Sequence, residues 1–211
     1  MNRPPMRNRV TPMGDVVAIN LRGAWTGNRG ALHVGTDIVR FHRDSLWIIC
    51  ALTFKDWKLV QWAPKRFTLL FFHDEAVALA AGHRPCALCR REAYERYRQS
   101  WAVAQGEGVL PSAGAIDHQL HDERIIRGTH RRRLHQREWS QVPWGAFVTT
   151  ERGPALVLND VIVPWSAEGY LAPRPRPWSG SVDVITPPST LGALSAGYRP
   201  HIDNGAFESG R

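Results

Sequence analysis

The chain has 211 residues, 43% of them hydrophobic, and its 27 Lys+Arg against 19 Asp+Glu leave a net charge of +8. That length suits one domain or two small ones, with enough apolar material for a real core and too much for wholesale disorder. No apolar run approaches the roughly 18–20 residues that cross a bilayer, the Arg/Pro-rich start from Met1 to Val17 lacks a signal peptide's apolar stretch, and three cysteines make no disulfide framework, so the expected location is the cytoplasm.

In chain order, residues 1–15 read as a loose tail. From Val16 to about Ala81 the chain is β-rich, with short apolar or alternating runs at 15–20, 37–41, 46–54 and 67–72, and turn residues such as Gly27-Asn28-Arg29-Gly30 between them. Asp74 is positioned to cap a helix over about 75–81 that Gly82 stops. A second helix is predicted over 87–104, with Leu88, Tyr94, Tyr97 and Trp101 as its apolar stripe. A loop spans 106–114, and a third helix covers 115–126 with Ile116 and Leu120 on its buried face. Strands return at 146–150, 155–159 and 161–165. After a proline-rich loop at 173–177 come a strand at 181–185 and a helix from Pro187 to Gly197. The predicted class is α+β, with β-rich N-terminal and C-terminal parts flanking a central helical segment. Three regions result: a tail (1–15), a β-rich region with the CxxC helix unit (16–105), and an Arg-rich helix with a β-meander (106–211), the last two packed as one domain. Residues 78–85 and 193–200 match at six of eight positions. A shared way of stopping a helix and a true structural repeat both fit that echo.

The sharpest motif is Cys86-Ala-Leu-Cys89. A CxxC turn at a helix start aims two thiolates at one tetrahedral ion, and the helix N-terminus lowers their pKa. The stretch from Phe71 to Arg90, with Ala-Gly-His-Arg-Pro-Cys at its centre, resembles the second half of the metal-binding domain of the Ada DNA-repair family. There a short helix presents the second cysteine pair of a four-cysteine zinc site that sits against DNA. The resemblance implies zinc here, held by Cys86 and Cys89. The family's first cysteine pair is missing, which removes any implication of methyl-phosphotriester repair. Cys50 and a histidine must then complete the ligand set: His33 first, with His42, His73 and His83 as alternatives. Through Gly27–His33, the Cys-Arg motif, Leu120–Arg124 and Ile185–Ser189, most of the length also resembles a bacterial protein family that brings no established activity with it.

Asp117-His-Gln-Leu-His-Asp-Glu-Arg124 is the densest polar cluster. On a helix, Asp117, His121 and Arg124 share a face, and with Glu123 they are the candidate catalytic residues. An Asp and a His could activate water or bind an ion, and Arg124 could hold a phosphate. A solvated, salt-bridged helix face explains the same pattern.

Twenty-four of the 27 cations are arginine, leaving only Lys55, Lys58 and Lys65. A GC-rich genome accounts for much of that ratio, and for less of the net charge. Residues 124–137 carry six arginines and no acid. The candidate phosphate contacts are Arg29, Arg84, Arg127, Arg131, Arg132, Arg133 and His135, with Trp139 and Trp144 as stacking surfaces. Trp47, Trp101 and Trp165 are expected in the core. The preferred expectation is a zinc-knuckle nucleic-acid-binding protein, DNA ahead of RNA, in repair or processing. A hydrolase acting on nucleic acid or a nucleotide and a protein-interaction module are the alternatives.

Overall fold

The computed structural model describes residues 4–106 and 108–208. The chain runs β1 (Arg7–Val10), β2 (Val16–Ala18), β3 (Trp25–Asn28), β4 (His33–Val34), β5 (Asp37–Ile38), β6 (Ile48–Cys50), β7 (Leu70–Phe72), α1 (Glu75–Ala80), β8 (Arg84–Pro85), α2 (Arg91–Gln105) and α3 (Ala113–Arg124). It continues through β9 (His135–Glu138), β10 (Phe147–Thr150), β11 (Gly153–Val157), β12 (Val161–Ser166), β13 (Gly169–Tyr170), β14 (Arg174–Pro175), β15 (Ser181–Val184), α4 (Pro188–Ser195) and α5 (Gly205–Glu208). The class is α+β, with helices between two sheets.

The first sheet has the strand order β2-β1-β7-β3-β6-β8, and the second runs β13-β12-β11-β10-β15-β9 with β14 paired to β12. β1 lies inside the stretch read as a tail. Its Val10 is buried, and it pairs in parallel with β7 and antiparallel with β2. β3 lies partly inside the segment read as a turn. A Cβ on Gly27 would stand 2.1 Å from the Ile48 carbonyl oxygen and 2.8 Å from the Phe72 ring, so this position takes glycine to let β6 approach, not to make a turn.

A single core cluster joins both sheets and the helices: Val10 and Phe72 from the first sheet, Tyr97 and Trp101 from α2, Leu120 from α3, Val148 and Val184 from the second sheet. Trp47, Trp101 and Trp165 are buried as expected. On α2 the stripe is Tyr94, Tyr97 and Trp101; Leu88 precedes the helix and is exposed.

The echoed octapeptides end α1 and α4 with the same closure. Gly82 (φ 87°) and Gly197 (φ 103°) take left-handed conformations. The N–H of His83 donates to Ala78 O and that of Tyr198 to Ala193 O, both at 3.0 Å. This is the Schellman pattern, which needs a residue free of the Cβ penalty at the C′ position.

The N-terminus of α1 is where the C-terminal part of the chain is tied down. Asp74 Oδ1 accepts from Val77 N (2.8 Å), and its Oδ2 accepts from the Tyr170 hydroxyl (2.7 Å) and Asp203 N (3.0 Å). Glu75 accepts from the Tyr198 hydroxyl (2.5 Å), His201 N (3.0 Å) and Arg90 (2.9 Å). Both carboxylates are buried, and each is satisfied several times over, as burial of charge requires.

Candidate metal centre and cationic surface

Cys50 ends β6, while Cys86 and Cys89 lie in the turn between β8 and α2. The parallel pairing of β6 with β8, Ile48 opposite Arg84 and Ile49 opposite Pro85, brings the two segments side by side. Cys86 N donates to Ile49 O (2.9 Å) and fixes the turn against the strand. The three sulfurs consequently lie within 4.8 Å of one another, a grouping that could hold a metal ion. Two backbone N–H groups donate to sulfur, Leu88 N to Cys86 Sγ and Ala51 N to Cys89 Sγ, each at 3.4 Å. Donation of this kind stabilises thiolate charge and orients ligands. Hydrogen bonds from Cys50 and then Cys89 hold the Cys86 thiol far below its ordinary range, and the same contacts push Cys50 up. Three sulfur atoms gathered at one point are a soft donor set, which suits zinc or another thiophilic ion.

The histidines proposed to complete the set stand elsewhere. His33 Nδ1 lies 2.6 Å from Thr68 Oγ1, and its ring meets Trp62 edge-on. His83 Nε2 accepts from Arg29 Nε (3.2 Å), and His73 Nδ1 accepts from the Trp165 indole (3.2 Å). His42 packs beside His121, ring centroids 5.0 Å apart. Spacing along the chain cannot show that β4 carries His33 to Thr68 instead. Among the described residues, the thiol group has three members and no histidine.

Of the four candidate catalytic residues, His121 and Arg124 meet, while the carboxylates of Asp117 and Glu123 are bonded elsewhere. Asp117 lies on the face of α3 that meets Arg84, and the two form a buried bidentate pair at 2.8 and 2.7 Å. Glu123 is buried. It accepts from Ser189 N (3.0 Å), the Ser189 hydroxyl and Gln119 Nε2 (2.8 Å), and so caps the start of α4. Arg124 is completely buried. It donates to Gly82 O and Ser45 O, both at 2.7 Å, and lies over Trp47 at 3.8 Å. His121 Nδ1 sits 3.1 Å from Arg124 Nη2.

The arginines divide by burial. Arg29 is fully buried, bonded to Gly14 O (2.8 Å) and lying 4.1 Å over Trp47. Arg132 reaches the carbonyls of Ala80, Ala81 and Ile185. With Arg124 it satisfies carbonyls at the C-terminus of α1, where a helix's negative end favours cations. Burial lowers Arg29 and Arg132 to about 9 each, so both remain charged at neutral pH. Of the candidate phosphate contacts, Arg29 and Arg84 are buried among protein partners, while Arg132 is half-buried with its guanidinium turned to the α1 carbonyls. His135 is half-buried, 2.8 Å from Glu123 O.

Arg127, Arg131 and Arg133 are exposed. The chain doubles back after α3, with Ile125 opposite Arg132 and Ile126 N bonded to Arg131 O. Strand alternation then sends Arg132 inward and its two neighbours out. Trp139, expected as a stacking surface, is buried, and Trp144 is half-buried with Arg199 over its ring. Among the described residues, no helix is long and apolar enough to cross a membrane. In comparisons with known proteins, the chain matches no protein family, no curated protein and no solved structure.

Proposed function

We propose that the protein is a zinc-containing nucleic-acid-binding protein of the cytoplasm, acting on DNA in preference to RNA, in repair or processing. Cys50, Cys86 and Cys89 would hold the ion. Bound there, it would cross-link β6 to the start of α2 and stiffen the first sheet's edge; its chemistry is structural, as in other thiolate-rich knuckles. The exposed Arg127, Arg131 and Arg133 supply phosphate contacts. The observation that carries the reading is the convergence of all three of the chain's sulfhydryls at one point of a strongly basic protein. The hydrolytic alternative has less support, because the oxygens of Asp117 and Glu123 are already committed to Arg84 and to the start of α4.

Two measurements test it. Elemental analysis of protein purified without added metal should give about one zinc per chain, and Cys86→Ser should lose the zinc and lower the melting temperature. Fluorescence anisotropy across a salt series should show affinity falling with salt. Replacing Arg127, Arg131 and Arg133 with alanine should flatten that slope by somewhat under one unit per lost phosphate contact. Metal-free protein with an unchanged melt on Cys86→Ser removes the zinc. No salt-dependent binding to any nucleic acid removes the partner.

A further inference from the structure

All three lysines of the chain fall in residues 55–65, in the segment that joins β6 to β7. Neither the thiol cluster nor the arginine hairpin uses this segment. With Arg66 it presents four exposed cations against one acid, Asp56. Aromatic residues are interleaved with them. Trp57 is 57% exposed and Phe67 40%, with Phe54 edge-on to Trp57 at 5.4 Å.

These rings border two adjoining hollows. The smaller, about 200 Å³, is lined by Phe54, Trp57 and Phe67 together with Cys50, Cys86 and Cys89. The larger, about 590 Å³, shares Trp57 and Phe67 and is flanked by Lys58 and Arg66. Among the described residues, the non-glycine positions with left-handed backbone are Lys55, Trp62 and Lys65, at φ 50°, 60° and 60°, all within this segment. Such conformations persist only where the surroundings enforce them, and they gather at binding sites.

We propose that the 54–67 segment is a binding site for single-stranded nucleic acid. An unpaired base enters the hollow and stacks on Trp57, with Phe67 beside it, while Lys55, Lys58, Lys65 and Arg66 meet the phosphates on either side. Charge complementarity selects a polyanion, and the exposed rings select one whose flat apolar faces are free. A duplex keeps its bases stacked inside and offers the hollow nothing to bind. This rests on the nucleic-acid reading above and adds to it a strand preference and a location.

The test is fluorescence anisotropy with labelled oligothymidylate and a duplex of equal length. It compares wild type, Trp57→Ala, Trp57→Phe, the Lys55/Lys58/Lys65 triple alanine variant and the Arg127/Arg131/Arg133 triple alanine variant, with melting curves alongside. Oligothymidylate should bind more tightly than duplex and quench tryptophan fluorescence. Trp57→Ala should weaken it on the order of tenfold, Trp57→Phe should restore most of the loss, and the lysine variant should flatten the salt dependence. Because these side chains are exposed, melting should stay unchanged. Wild-type affinity in both the Trp57→Ala and lysine variants, or tighter binding of duplex, overturns the site while leaving nucleic-acid binding intact. Binding of neither oligonucleotide removes both readings. Binding of phosphatidylglycerol vesicles without oligonucleotide identifies a lipid surface and overturns the proposal.

Discussion

Asp117→Asn separates the structural role of the central helix from a catalytic one. The substitution keeps the side chain's shape but removes the charge facing Arg84, whose guanidinium makes two bonds to the carboxylate and a third to Pro85 O (3.0 Å). The pair is only 3% and 8% exposed, so water can do little for the orphaned cation. Removing one partner of a buried ion pair is expected to cost about 3–5 kcal/mol. For a chain of this length, that converts to a fall in melting temperature of roughly 6–20 °C. Replacing both partners, as in Asp117→Leu with Arg84→Met, should recover much of the loss, because a well-packed apolar pair avoids the desolvation that the ions suffer. Urea unfolding of wild type, both single variants and the double variant would measure the coupling. If Asp117→Asn unfolds with wild type, the pair does not hold α3 against β8. If it keeps its stability yet loses turnover on a nucleic-acid substrate, the catalytic reading of Asp117 returns.

His83 should make stability pH-dependent. Burial, with Arg29, Arg124 and Arg132 nearby, holds its folded pKa well below the ordinary 6.5. The unfolded chain therefore takes up a proton first, and stability present above that value falls by up to about 1.4 kcal/mol per pH unit below it. Urea midpoints between about pH 7 and pH 5 should fall, and His83→Gln should flatten the decline; a flat wild-type profile refutes this. Gly27→Ala forces a methyl against the Ile48 carbonyl, and should destabilise by about 3 kcal/mol or more; a wild-type melt would show that β3 and β6 separate freely. Arg132→Met leaves the α1 carbonyls of Ala80 and Ala81 without their donor and should cost about 1–3 kcal/mol without changing nucleic-acid affinity. Lost affinity with full stability would place Arg132 on the binding surface instead.

Local chemistry made parts of this molecule readable in advance. The Asp74 cap, the Gly82 and Gly197 stops and the apolar strand runs between residues 146 and 165 depend on neighbours in sequence, and the structure has them. β1 was hidden because Arg7-Asn-Arg-Val has no apolar alternation; its partners are supplied by β2 and β7. β3 was masked by glycine, which signals a turn in isolation but here serves a close strand approach. The thiol cluster was half legible: CxxC announces itself, and Cys50 was the remaining thiol, yet which histidines stay away depends on where β4 packs. The arginines were the least legible. A run of Arg131, Arg132 and Arg133 looks uniformly basic, and only the pairing of residues 125 and 132 turns the middle one inward. The aromatic and lysine content of residues 54–67 was in plain view. It drew no functional reading because the hollows beside the cysteines exist only once β6, β7 and the CxxC turn are assembled.

The ties at the start of α1 bear on how the protein is made. Asp74 and Glu75 find Tyr170, Tyr198, His201 and Asp203 only about 95–130 residues further along the chain. A ribosome that has released residues 1–150 holds a first sheet and helix whose two buried carboxylates lack most of their partners. Closing that helix against the core would strand charge away from water, so the early half has little reason to settle while translation continues. Folding of the first sheet should thus wait until residues 170–203 have emerged, and a fragment cut before Tyr198 should stay open and be consumed by proteases instead of surviving as a domain.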